Sequence, residues 1–185
     1  MAEYSLQLPL RAEDVQMLRA GDTAFLTGEI YTGRDAAHKR LAALLDAGQP
    51  LPIDLKGQTI YYVGPAPAAP GHAVGSAGPT TSYRMDAYTP RLLEMGLRGM
   101  IGKGMRDEAV QKAMQRYGAV YFGAVGGAAA LISRSIIKSE VIAYPDLGPE
   151  AIHRFTIENF PVIVLMDAHG GNLYVSGPAR YAQAE

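Results

Sequence analysis

The sequence predicts a layered α/β domain, mainly parallel through its centre and antiparallel towards its C-terminal end. Between residues 23 and 122, short β-favouring apolar runs alternate with amphipathic helical stretches, as in parallel β/α units. From residue 136 onward, strand-like runs follow one another with only turns between them. Length and composition set the scale. A chain of 185 residues, 48% hydrophobic and 19% charged, suits one packed domain spanning 1–185.

Tyr4 to Leu10 alternates apolar and polar residues, as a half-buried strand does, and Ala12 to Leu18 reads as a short helix. Gly21-Asp22 signals a turn, and Thr23 to Tyr31 is a second strand. That strand runs into Thr32-Gly33-Arg34-Asp35-Ala36-Ala37-His38. Asp35 reads as the N-cap of a helix whose apolar stripe is Leu41, Leu44 and Leu45. Arg34 therefore falls at a strand-to-helix junction, where α/β proteins bind ligands, although pairing with Asp35 would also account for it. His38 alone reads as a structural or exposed helical histidine.

Thr59 to Val63 is a further strand, and the Gly-, Pro- and Ala-rich stretch 64–78 is a loop. The loop leads into Gly78-Pro79-Thr80-Thr81-Ser82-Tyr83-Arg84-Met85-Asp86, which gathers a rigid turn, three hydroxyls, a guanidinium and a carboxylate. The threonines are suitable N-caps, so a helix starting here would aim free N–H groups and its positive dipole end outward. With Arg84 in its first turn, the stretch suits a carboxylate or phosphate; the plainer alternative is a capped surface helix with a solvated arginine.

Thr89-Pro90 looks like an N-cap and first-turn proline for a helix that buries Leu92, Leu93 and Met95 and ends at Gly96. Gly99 to Gly104 is a short strand ending in Lys103, whose flanking glycines allow a ligand to approach closely. A helix from Asp107 to Tyr117, a strand from Ala119 to Phe122 and a helix entry at Gly126-Gly127 continue the alternation. Val125-Gly126-Gly127 lacks the full dinucleotide fingerprint, and there is no P-loop. Strands follow at Ile136 to Ala143, Arg154 to Glu158 and Pro161 to Met166. Asp167 to Asn172 then reads as a hairpin turn before a strand Leu173-Tyr174-Val175, and 177–185 as a frayed tail.

A formal net charge of -1 gives no reason to expect nucleic acid or an anionic membrane surface as partner. No apolar run is long enough to span a bilayer, and Met1-Ala2-Glu3-Tyr4 lacks a secretory pattern, so a cytoplasmic location is expected. The absence of cysteine rules out disulfides and any iron–sulfur or thiolate zinc site made by this chain alone. His38, His72, His153 and His169 are scattered without metal-ligand spacing. The residues themselves thus nominate Arg34, the Thr80–Arg84 turn and Lys103 as one anion site, suited to a dicarboxylate if they converge.

The Gly78–Asp86 motif with Lys103 after it resembles the β subunit of iron–sulfur hydro-lyases, the class I fumarate hydratase and tartrate dehydratase family. So do Thr32-Gly33-Arg34-Asp35-Ala36-Ala37-His38 and the segment from Phe160-Pro161 to Asp167-Ala168-His169-Gly170. The resemblance covers nearly the whole chain. It implies a swivelling β/β/α three-layer domain with a mainly parallel central sheet and a second, antiparallel sheet. It also implies a hetero-oligomer in which a separate α subunit holds a [4Fe-4S] cluster through its cysteines. Carried over by position, Arg34, Arg84, Thr81 and Lys103 would bind a C4-dicarboxylate, and Thr80 would act at the carbon being deprotonated, with Lys103 beside it. Asp35, His38 and Asp86 would support them from behind. The opposing acid would come from the α subunit. Fumarate and L-malate are the expected pair, L-tartrate the alternative; a non-catalytic dicarboxylate- or phosphate-binding module is the reading from another class. A cysteine-bearing partner would separate these readings.

Overall fold

The computed structural model describes residues 1–124 and 129–181. Over them the expected alternation forms β1 (Glu3–Gln7), α1 (Ala12–Met17), β2 (Thr23–Thr32), α2 (Asp35–Asp46) and β3 (Thr59–Tyr61). A 3-10 turn, Ser82–Met85, precedes α3 (Thr89–Glu94), β4 (Gly99–Gly102), α4 (Glu108–Tyr117) and β5 (Val120–Ala124). Then come α5 (Ala129–Ser135), β6 (Ile136–Ala143), a 3-10 strap (Pro145–Glu150), β7 (Ile152–Met166) and α6 (Leu173–Tyr181). The Val125-Gly126-Gly127 reading lies outside the described residues. None of the described helices is long and apolar enough to cross a membrane.

All seven strands belong to one mixed sheet. Strands β1 to β5 pair in parallel in chain order, and β7 runs antiparallel to β2, β5 and β6. Because β7 bonds to both β2 and β5, strands β2, β3, β4, β5 and β7 close into a hydrogen-bonded ring. The expected second antiparallel sheet is therefore continuous with the parallel one. The cause is length: the two expected strands at Arg154–Glu158 and Pro161–Met166 are one strand of 15 residues. Asn159, with φ +46°, turns the chain locally without ending it.

Residues on β3 to β5 face two cores in alternation, as strands buried on both faces must. Tyr61, Ile101, Val120 and Phe122 pack inward against Leu26, Ile30, Phe155 and Phe160 of the antiparallel side. Ile60, Tyr62, Met100 and Tyr121 pack outward against Leu41 of α2, Leu92 and Leu93 of α3, and Val110 of α4.

Three local expectations are corrected. The Thr80–Thr81 helix is a four-residue 3-10 turn whose N-cap, Thr81, makes no side-chain cap bond. Arg34 rather than Asp35 is the N-cap of α2, and Tyr88 rather than Thr89 that of α3. Leu173-Tyr174-Val175 is helical, not a strand. The hairpin begins, with a bridge between Met166 and Asn172, but the Asn172 side chain then accepts the Tyr174 N–H at 3.0 Å, the bond of a helix N-cap. Helix α6 continues through 177–181, the first part of the expected tail.

Candidate anion site at the strand ends

The carboxyl ends of β2, β3 and β4 lie side by side because these strands are parallel neighbours. Just beyond them the backbone is stitched across. Gly33 N–H donates to the Tyr61 carbonyl (3.1 Å), Tyr62 to Ile101 (2.9 Å) and Thr80 to Tyr62 (2.7 Å). An isolated parallel bridge pairs Thr81 with Lys103. Arg34, Thr80, Thr81, Arg84 and Lys103 are thereby gathered at one end of the sheet.

The two arginines meet on a single carboxylate. Asp35 Oδ2 lies 3.9 Å from Arg34 Nη2 and 3.8 Å from Arg84 Nη1. Arg34 Nε is also 3.6 Å from Glu150 Oε1 on the 145–150 strap. These are ion-pair distances beyond hydrogen-bond length. Arg34 Nε is buried without a hydrogen-bond partner. Arg84 and Lys103 are exposed, and Thr80 and Thr81 half-buried.

Lys103 is held through its backbone. Its N–H donates to Ser82 Oγ (3.1 Å), and its carbonyl accepts from the Ser82 N–H (2.9 Å). The Ser82 N–H is therefore spent on the lysine, and the expected outward-facing helix N-terminus is absent. Tyr121 Oη lies 2.8 Å from Ser82 Oγ and 2.9 Å from the Gly104 carbonyl, and the Gly104 N–H donates to Tyr174 Oη at 2.8 Å. The hydroxyls of Ser82, Tyr121 and Tyr174 thus fix the two residues that follow β4.

Behind the site, His38 is fully buried. Its Nδ1 lies 2.8 Å from the Arg34 carbonyl, so Nδ1 carries the proton and donates. Burial, reinforced by the Arg106 charge, pushes its pKa down to about 4 against the pull of the Arg34 carbonyl and Asp35. The ring is neutral at pH 7 and stacks edge-on to Tyr62, their centroids 5.4 Å apart. Asp86 supports the turn from elsewhere. Its carboxylate accepts from Arg106 Nε (2.6 Å) and the Asp107 N–H (2.7 Å). The buried Arg106 guanidinium sits between the Tyr62 and Tyr121 rings, 5.2 and 5.1 Å from their centroids, and donates to Thr89 Oγ1 (2.8 Å).

Sequence reasoning missed Ser82, Glu150, Arg106 and Tyr121. Ser82 stood inside the motif but looked interchangeable with its threonine neighbours. Tyr121 alternates as an ordinary core position, Arg106 reads as a solvated charge, and Glu150 lies in a Pro- and Gly-containing segment far from the motif. Among the described residues no group of three His, Asp or Glu is placed to hold a metal ion.

A family model described as Fumarase C-terminus matches residues 2–177. The anaerobic class I fumarate hydratase of Escherichia coli (strain K12) is 44% identical over 151 residues, covering 80% of this chain and 28% of that protein. A fumarate hydratase 2 of Leishmania major is 37% identical over 156 residues, 83% of this chain and 28% of that protein. A putative L(+)-tartrate dehydratase subunit beta of Methanocaldococcus jannaschii is 37% identical over 178 residues, 93% of this chain and 91% of that one. The chain thus spans less than a third of the fumarate hydratases it matches, and nearly all of the tartrate dehydratase subunit.

Proposed function

The chain belongs to the Fumarase C-terminus family, and on that premise we propose that it is the substrate-gripping half of an iron–sulfur-dependent hydro-lyase interconverting fumarate and L-malate. One observation carries the reading furthest: Arg34 and Arg84, distant in sequence, flank one carboxylate and spend no hydrogen bond on it. Two such forks suit the two carboxylates of a C4-diacid.

In this reading Arg34, Arg84 and Thr81 bind and orient the carboxylates, and Lys103 adds positive charge from the end of the next strand. Thr80 Oγ1 is placed at the carbon beside the one bearing the hydroxyl; to take that carbon's proton it first gives up its own, to solvent or to a base of the α subunit. The Lys103 ammonium favours the negative charge that develops on the substrate as that proton leaves. Asp35, His38 and Asp86 hold these groups from behind. The chain supplies no ligand set for a [4Fe-4S] cluster, since it has no cysteine. We assign the cluster, and the opposing acid, to a separate α subunit in a cytoplasmic hetero-oligomer, and no step above runs through it. The swivelling β/β/α description belongs to the same proposal, supported by the two cores on opposite faces of the parallel strands.

The extended match to a putative L(+)-tartrate dehydratase subunit beta makes L-tartrate the alternative substrate, gripped in the same way. The test is to assay the 185-residue chain with L-malate, fumarate and L-tartrate, alone and after anaerobic mixing with a cluster-loaded α subunit. We expect no turnover before mixing and hydratase activity after it, fastest with the fumarate–malate pair. Faster tartrate dehydration would move the chain to the other branch. Turnover by the chain alone would overturn the two-subunit reading. Binding of phosphate with no activity in any mixture would leave an anion-binding module.

A further inference from the structure

Among the described residues, seven arginines lie in ion pairs, and five of them have a carboxylate close by. Those shortest contacts are 2.7 Å for Arg11, 2.5 Å for Arg40, 2.6 Å for Arg91, 2.6 Å for Arg106 and 3.0 Å for Arg154. Arg34 and Arg84 stand apart, with no carboxylate nearer than 3.6 and 3.8 Å. The difference does not come from a lack of acids, because Asp35 and Glu150 are both at hand.

Both carboxylates rise from anchored backbone. Asp35 is the first residue of α2, so its short side chain moves with a helix backbone. Glu150 ends the 145–150 strap, which is tied to α2 by two hydrogen bonds from Arg40 to Asp146, at 2.9 and 2.5 Å, and by Arg40 over the Tyr144 ring. Arg34 itself packs against Gly64, where an added Cβ would lie 3.2 Å from Cδ and 3.1 Å from Nη1. The Gly64 backbone therefore closes off one side of the guanidinium.

We propose that Asp35 and Glu150 are positioning residues: internal counter-charges that hold Arg34 and Arg84 in place while leaving their N–H donors open for the ligand. That the ligand is a C4-dicarboxylate rests on the function proposed above; the positioning does not. Attraction at these distances restrains a guanidinium without consuming its directional bonds. An incoming carboxylate then has no internal hydrogen bond to break and meets arginines already ordered.

Arginine side-chain nitrogen NMR on the 185-residue chain tests this without substrate. In the wild type the Arg34 and Arg84 Nε–H signals should be dispersed and their motion restricted. Asp35→Asn should release Arg84 to the mobility of an ordinary exposed arginine, Glu150→Gln should release Arg34, and Asp35→Glu should restore much of the order. Titration with succinate, an unreactive diacid, should then show affinity lower by about tenfold in each neutralised variant, while phosphate affinity holds or rises as positive charge is uncovered. Melting curves establish that each variant is folded, and Glu150→Gln carries the test if Asp35→Asn is not. Unchanged arginine signals in both variants would overturn the proposal. So would tighter succinate binding, which would make the two acids mere competitors. Changed arginine order with no succinate binding even in the wild type would uphold the positioning and remove the dicarboxylate reading instead.

Discussion

Replacing Arg84 with lysine keeps the charge and removes the planar fork. If Arg84 makes a charged, two-pronged contact to substrate, worth about 1.5–3 kcal/mol, kcat/KM of the assembled enzyme should fall about tenfold or more. Wild-type kinetics would take Arg84 out of the site. Thr80→Val is a sharper test than it looked in the sequence, where a cap role competed with a chemical one. The residue at the cap position is Thr81, which makes no cap bond. The variant should therefore keep its stability within about 0.5 kcal/mol while kcat falls more than KM rises. His38 carries a pH prediction. Its folded pKa, about 4, lies below the ordinary 6.5, so the unfolded chain binds the extra proton and stability declines as pH falls from 6.5 towards 4. The full loss is roughly 3 kcal/mol. A plot of melting temperature between pH 7 and 4.5 should be flatter for His38→Gln than for the wild type. In the sequence, the motif residues could be named from chemistry that depends on local order. The states of His38 and Arg106 could not, because His38 owes its low pKa to burial and the Arg106 charge, and Arg106 its place to the Tyr62 and Tyr121 rings, all distant in sequence.

The element that most directly presents the site is the end of β4. An alanine at Gly102 would collide with Ser82 Oγ and come within 2.9 Å of Tyr62 Cδ2. Gly102→Ala should cost about 1–3 kcal/mol by overpacking and should also impair activity, since the displaced Ser82 hydroxyl holds the Lys103 N–H. Thermal melts and kinetics on one preparation would separate the two effects; a stable variant with normal turnover would show that the Ser82–Lys103 lock is dispensable. Asp86→Ala is the harsher change, because it strands the buried Arg106 guanidinium. Removing one member of such a pair costs about 3–5 kcal/mol, and chemical denaturation should report it. Helices and strands with a clear period were legible, among them α4 with its Asp107 cap. Helix α6 was not, because Leu173-Tyr174-Val175 favours a strand locally while Asn172 and the contact of Tyr174 with Gly104 favour a helix. The 3-10 turn was equally hidden, since Ser82 gives its N–H to Lys103 instead of starting an α-helix.

For the whole molecule, alternation and a parallel centre followed from the spacing of apolar runs, but closure of the sheet did not. Pairing of β2 with β7 joins segments more than a hundred residues apart, and no local pattern encodes it. Phe160, buried opposite Leu26 and edge-on to Tyr61 with centroids 5.5 Å apart, sits inside that closure. Phe160→Ala should cost about 3–5 kcal/mol, and the parallel and antiparallel parts should melt in one transition. Separate transitions would mean that the two parts are independently stable. The closed ring also sorts the molecule by how readily its amides meet water. Among the described residues only β1 and β6 present an open edge, whereas β3 and β4 are bonded on both sides. In deuterated solvent the edges should exchange first, and β3 and β4, against whose ends Thr80 and Lys103 are bonded, should hold their protons longest. The side chains offered to solvent and ligand thus lean on the slowest-opening part of the chain.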